Sequence, residues 1–292
     1  MKNMILSALI LLASIISSAS AVAQNKKVLL VSDIDDTIKV SNVLGTAAKF
    51  ARALDVTTAF TGMPQLYQTI VNENVNSTRI AYVSNAPHDI KGIEVMKYSH
   101  SNFLSYNEFP EGELILRLDI TDQNHKINTI RKLIKEEKPE LVIMVGDNGE
   151  RDIEIYAQAT KELNAQGIET LTYIHQLYSS TRGLLSYIGI NLFSEIGKKV
   201  LPNQLGYVTP LEIAYDLKNK NLLRKVSYDW LIRKVMRNII NEESSNFDID
   251  ILESMTFPSF SKCTDFKWNV KTLGVVPTEL VPLVSKLNKQ CR

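Results

Sequence analysis

The sequence predicts an α/β fold, a parallel sheet with helices on both faces. Two observations carry this. Short apolar, β-branched runs alternate with helix-forming stretches from residue 27 to residue 175. Polar residues able to carry chemistry fall just past three of those runs, at the edge where parallel sheets bind ligands.

The elements read in order as follows. Residues 27–32, KVLLVS, form a first buried strand. Helical spacing follows near residues 43–54 and 63–72, and RIAYVSN (79–85) is the second strand. GELILRLDI (112–120) reads as the third strand. Asp122 caps a helix through QNHKINTIRKLIKEE that stops before Pro139. ELVIMVGD (140–147) is the fourth strand, RDIEIYAQATKELN the helix after it, and ETLTYIH (169–175) the fifth strand. From residue 181 the pattern turns helical, as in TPLEIAYDLKNKNLL and SYDWLIRKVMRNIIN, with no strand evident. The domains expected are a leader over 1–23, a catalytic unit over 24–180 and a helical C-terminal region over 181–292.

The leader rests on composition. Lys2, an apolar run from Met4 to about Ile16 and the small residues Ala21-Val22-Ala23 make a secretory signal, with Gln24 as the mature start. The apolar core is shorter than the roughly 20 residues of a spanning helix. A secreted or periplasmic location follows. In an exported chain the two cysteines, Cys263 and Cys291, are expected to form a disulfide. The 33 basic and 32 acidic residues nearly balance, so bulk charge gives no reason to expect nucleic-acid binding.

The chemistry concentrates in SDIDDTIKVSNV. Asp33, Asp35 and Thr37 form D-x-D-x-T directly after a strand. That pattern suits Asp33 as a nucleophile toward phosphorus and Asp35 as the acid and base serving the leaving alcohol and the water. A magnesium ion would offset the carboxylates. A calcium loop competes poorly, because its sixth and twelfth positions would hold Ile38 and Leu44. A helix cap or turn explains one aspartate but not three in four residues. Asp36 is a spacer expected to face solvent or its own loop. In VGDNGERD, Asp147 stands at a strand end as a further metal ligand, and Asp152 as a weaker one, although acids also suit a helix N-terminus. Ser84 in YVSNAP suits a phosphate oxygen, with Asn85 beside it. Lys126 lies in a first helical turn, where a lysine calls for an anionic partner. The histidines 88, 100, 125 and 175 are scattered and read as surface or packing residues.

Taken together, Asp33-x-Asp35-x-Thr37, Ser84, Lys126 and Asp147 follow the motif order of the haloacid dehalogenase-like phosphatases. The longer strings GMPQLY, YVSNAP, FPEGELILR, HKINTIRKLI and VGDNGERDIEIY resemble the phosphatidate phosphatase catalytic domain of the actin-patch type, related to lipins, over roughly residues 27–180. The resemblance implies a Rossmann-like sheet and magnesium-dependent (Mg2+) hydrolysis of phosphatidate to diacylglycerol. It makes Asp33 the nucleophile and Asp35 the acid and base, with Thr37, Ser84, Asn85 and Lys126 on the phosphate. It puts Asp33, the Asp35 carbonyl, Asp147 and Asp152 on the metal, and Arg117 on the substrate. This chain departs from the pattern at His88-Asp89 and at YIHQLY around His175, both expected to alter the pocket mouth.

The expectation is an exported phosphatase acting on phosphatidate or a similar phospholipid. A soluble phosphomonoester as substrate and a non-catalytic phosphatidate-binding module are the alternatives. Peripheral membrane contact through LLSYIGINLF (184–193) competes with a plain core role for that segment.

Overall fold

The structure, a computed structural model, describes residues 26–41, 55–73, 77–89, 93–178, 197–241 and 268–290. The leader, the expected helix near 43–54, the 184–193 segment and both cysteines lie outside the described residues.

Six parallel strands form one sheet: β1 (Val28–Ser32), β2 (Thr78–Pro87), β3 (Glu113–Arg117), β4 (Leu141–Asp147), β5 (Glu169–His175) and β6 (Leu205–Tyr207), in the order β3-β2-β1-β4-β5-β6. β1 lies inside the sheet, hydrogen-bonded to β2 and β4 with Ser32 level with Tyr82 and Val145. Its VLLVS run is buried on both faces, which is why it reads as continuous rather than alternating apolar sequence. Alternate residues then serve two cores. Leu30, Ile80, Ile143 and Val145 face one, and Leu29, Val31, Val83, Val142 and Met144 the other.

The second core is closed by α3 (His125–Glu137) and α4 (Asp152–Asn164), whose apolar faces bring Ile127, Ile130, Ile153 and Leu163 onto the sheet. The first is closed by α1 (Met63–Glu73), α2 (Val95–Tyr106) and the C-terminal α5 (Pro210–Asn219) and α6 (Lys225–Asn241), with α7 (Val270–Leu273) and α8 (Val281–Gln290) packed on them. Among the described residues no helix is long and apolar enough to cross a membrane.

Several expectations shift. The third strand stops at Arg117 instead of running to residue 120. Asp122 does not cap α3; that position belongs to Asn124, and Asp122 accepts the Asn124 N–H at 2.8 Å in a preceding turn. α3 does end before Pro139, through Lys138 in the left-handed region at φ 47°. β6 is a strand in a region read as helical, and it pairs with β5 through only three residues. The helices after it share the first core, with Leu211, Leu231 and Leu283 in the same cluster as Leu30.

Candidate active site

The site is built around the turn that follows β1. The ladder continues one residue beyond the strand, because Asp33 N–H donates to Val145 O at 2.9 Å. The chain then winds through a single turn in which the N–H groups of Thr37, Ile38 and Lys39 converge on Ile34 O. Asp36 adopts φ 60°, a conformation that short polar side chains tolerate better than most. The turn throws Asp33 and Asp35 toward the carboxyl edge of the sheet and drives Asp36 inward.

Lys126, on the first turn of α3, is 1% exposed. Its ammonium reaches Asp33 Oδ1 at 2.8 Å and Asp152 Oδ1 at 2.5 Å. The anionic partner that the sequence demanded is thus two carboxylates of the site itself. Thr37 Oγ1 donates to Asp33 Oδ2 at 3.1 Å. Asp147 closes β4, and its Oδ1 accepts the Gly149 N–H at 2.5 Å. Asp33, Asp147 and Asp152 each offer a carboxylate oxygen within 4.8 Å of the others. Gly146 makes room for this: a Cβ there would lie 2.3 Å from Asp152 Oδ2.

Three buried carboxylates face one buried ammonium. Burial pushes Asp33 up against the pull of Lys126, with Asp152 adding to the rise. Burial and the charges of Asp152 and Asp33 push Asp147 well up, and burial raises Asp152 despite Lys126. Lys126 resists its own desolvation because Asp152 and Asp33 hold its proton, raising it too. The directions agree on one point: the ammonium keeps its charge, and the uncompensated excess sits on the acids. Asp152 Oδ2 is buried and has no hydrogen-bond partner among the described residues. An orphaned carboxylate oxygen in an all-oxygen set of three acids fits a hard divalent cation.

Asp35 lies outside that triad. Its Oδ1 accepts from Ser41 Oγ at 2.6 Å, and its Oδ2 from His100 Nε2 at 3.1 Å and Ser84 Oγ at 3.4 Å. Burial opposes its charge, but His100, Lys39 and Ser41 outweigh burial and hold it well below the usual carboxylate range. The Asp35 side chain is thus engaged by Ser41, His100 and Ser84 and is not one of the three acids whose oxygens gather.

A cleft of about 590 Å³ opens over these groups, lined among others by Asp33, Asp35, Ser84, Asn85, Arg117 and Glu150. Ser84 sits where β2 breaks register: Ser84 pairs Leu116 and Pro87 pairs Arg117, so Asn85 and Ala86 bulge toward the cleft. Asn85 Nδ2 donates across it to Glu150 Oε2 at 3.2 Å. Arg117 is half-buried, and its Nε has no hydrogen-bond partner among the described residues.

Two expectations are corrected here and a third is decided. Of the two alternatives for Asp36, its own loop holds and solvent does not: it is fully buried, its Oδ1 accepts the backbone Ser41 N–H at 3.0 Å and its Oδ2 accepts the Tyr178 hydroxyl. His175 does not reach the pocket mouth; its ring is buried, with Nδ1 2.8 Å from Asp36 O, and burial lowers it to about 4. His100 is neither a surface residue nor mere packing, since it meets Asp35. No local pattern signals His100 or Tyr178, because the partners lie 65 and 142 residues away.

An acidic pair turning off an interior parallel strand, a lysine from the helix that leads into the adjacent strand and an acid at the end of that strand are the construction of a haloacid dehalogenase-like catalytic domain. The comparisons narrow this further. Residues 28–171 match the family described as "Phosphatidate phosphatase APP1, catalytic domain", and they form a domain of that family. The chain is 32% identical over 140 residues to Phosphatidate phosphatase APP1 of Saccharomyces cerevisiae (strain ATCC 204508 / S288c), covering 44% of this chain and 22% of that protein. It thus spans about a fifth of that relative's length. A class C acid phosphatase from Bacillus anthracis, solved with tungstate bound, aligns over 82% of this chain and 87% of its own at 15% identity. With a TM-score of 0.33, that likeness is too slight to bear on function.

Proposed function

We propose that this chain is a magnesium-dependent phosphatase that hydrolyses phosphatidate to diacylglycerol and phosphate. The observation that carries the reading is the placement of Asp33 and Asp35 side by side at the floor of one cleft, with Lys126 on Asp33 and Ser84 on Asp35. The family of residues 28–171 supports the lipid substrate over other phosphomonoesters.

Asp33 attacks phosphorus, and the bond from phosphorus to the glyceride oxygen breaks as an aspartyl-phosphate forms. Asp35, which His100, Lys39 and Ser41 hold ionised in the free site, first takes a proton from the entering phosphate monoanion, gives it to the departing oxygen, and then takes one from the water that cleaves the acyl phosphate. Lys126 neutralises charge on Asp33 and on the phosphate oxygens. Thr37, Ser84 and Asn85 supply neutral donors, and Arg117 offers to the phosphate or glycerol end an Nε that has no partner among the described residues. Asp33, Asp147, Asp152 and the Asp35 carbonyl would hold the magnesium ion, which when bound supplies positive charge to the phosphate and offsets the acids.

The reading extends to location. The leader composition supports export with cleavage after Ala23, leaving a secreted or periplasmic enzyme that meets its lipid as a peripheral protein. N-terminal sequencing of the exported product should begin at Gln24; retention of residues 1–23 refutes it.

A substrate panel tests the activity. Wild type should release phosphate from phosphatidate faster than from nucleotides or sugar phosphates. EDTA and Asp33→Asn should each abolish release. Activity surviving either one refutes the mechanism. Preference for a soluble phosphomonoester refutes the lipid substrate, and phosphatidate binding without turnover refutes catalysis.

A further inference from the structure

We propose that His100 is a positioning residue for Asp35, holding the acid–base carboxyl in line for proton transfer through a hydrogen bond from α2. This rests on the reading of Asp35 given above. His100 is fully buried, and its Nε2 is 3.1 Å from Asp35 Oδ2. Its Nδ1 is also buried and has no hydrogen-bond partner among the described residues. A buried N–H without an acceptor costs more than a bare lone pair, so the ring carries its proton on Nε2 and donates to the carboxylate. The direction is set by the surroundings of the ring.

The other donors leave His100 a distinct task. Ser41 Oγ holds Oδ1 at 2.6 Å and fixes one oxygen. Ser84 Oγ approaches Oδ2 only at 3.4 Å, and Ser84 Oγ itself accepts the Ala86 N–H at 3.0 Å. Once Ser84 turns to a phosphate oxygen, its hold on Oδ2 is spent. The His100 bond then sets the carboxyl plane, and with it the direction in which Asp35 presents its proton.

His100 can do this because α2 is tied to the turn at one face. Ser99 Oγ accepts from Lys39 Nζ at 3.3 Å, and the Phe103 ring lies 5.8 Å from the same ammonium. Ser99, His100 and Phe103, within one helical turn, are the buried residues of α2. A helix with so narrow an apolar contact is anchored largely by this polar one. Sequence alone gave α2 no periodic signal for the same reason.

The test compares His100→Leu, which fills the site without a donor, with His100→Gln, whose amide can return one. Both are measured as the full chain with magnesium, on phosphatidate in detergent micelles and on p-nitrophenyl phosphate. His100→Leu should lose about 10–100-fold in kcat with KM unchanged, the range typical of residues that orient a catalytic group. His100→Gln should recover most of that loss at the same thermal midpoint as His100→Leu. Wild-type kcat in His100→Leu, or equal losses in both variants, overturns the proposal. A second readout does not depend on turnover. In protein labelled with 15N-histidine, the His100 Nε2–H resonance should shift in Asp35→Ala and hold in Asp33→Asn. If wild type hydrolyses no phosphomonoester, the functional reading fails while this resonance still decides the pairing; an unmoved signal overturns it.

Discussion

At the carboxyl edge of the sheet, Asp33 and Asp152 share one ammonium beside Asp147, and an oxygen of Asp152 has no hydrogen-bond partner among the described residues. On α5, at the start of the C-terminal helices, Glu212 and Asp216 are nearly as buried, yet each is answered locally. Glu212 Oε2 accepts from Thr209 N at 2.7 Å, Val208 N at 3.2 Å and Thr209 Oγ1 at 3.1 Å. Asp216 takes the Tyr173 hydroxyl at 2.8 Å and the Lys220 ammonium at 3.2 Å. Burial of an acid is therefore no mark of function in this fold. What separates the regions is a surplus of acidic groups over the donors and cations that surround them, which a bound cation would answer.

The widest test of this contrast removes the cation from each region. Lys126→Met strips the ammonium that, among the described residues, pairs Asp33 and Asp152, and should cost about 3–5 kcal/mol in urea unfolding without metal, with activity lost. Lys220→Met acts on a partly exposed pair and should cost about 0–1 kcal/mol. Comparable losses would erase the distinction. Next comes Glu212, which burial raises from 4.5 to about 7 against the donors of Thr209 and Val208. The folded chain keeps a proton that the unfolded chain releases between those values, so stability declines as pH rises through that window. The decline contributed by Glu212 should reach about 3 kcal/mol at most, and Glu212→Gln should remove it in denaturation curves at about pH 5 and about pH 8. A slope unchanged by the substitution would place the titration elsewhere.

The catalytic edge carries the opposite expectation for ligand. Its three acids are all raised, chiefly by burial, so without metal they retain protons that ordinary carboxylates have lost. Magnesium must displace those protons, and its affinity should climb with pH by about 1.4 kcal/mol per pH unit for each proton released. Calorimetry in buffers of different ionisation enthalpy reads the proton count. Affinity that is flat with pH would mean the acids are already charged and the contrast with α5 is one of geometry alone.

How far the sequence foretells this follows from where each signal is stored. β5 is readable to the residue because Thr170, Thr172, Tyr173 and Ile174 are strong strand formers, although only its last four residues are buried. β6 is three residues long and writes nothing comparable. α2 is silent because its buried residues are Ser99, His100 and Phe103, which make no apolar stripe. At the site, Asp33, Asp35 and Thr37 are legible as a local pattern, since a single turn brings them together. Lys126 meets Asp33 across 93 residues; its place in a first helical turn calls for an anion, and the order of the resembling motifs says which site supplies it. Tyr178 on Asp36 and His100 on Asp35 belong to no such order. They appear only when the chain is folded, and they are the contacts that hold the acidic turn in shape.

The smallest effect probes how independent the closed region is. Thr209 precedes α5, with extended backbone and Pro210 in the first helical position. Its hydroxyl donates to Glu212, while the Glu212 carboxylate answers the N–H groups of Val208 and Thr209. Thr209→Ala removes one donor from that knot and should cost about 1 kcal/mol, the usual worth of an N-terminal cap. Thr209→Ser should restore it, because the hydroxyl and not the methyl group does the bonding. Magnesium affinity and kcat should be untouched in both variants, since none of these groups faces the cleft. A parallel fall in magnesium affinity would show that α5, which packs with α1 against the same core as β1, transmits strain to the acids, and the two groups of carboxylates would then have to be treated as one system.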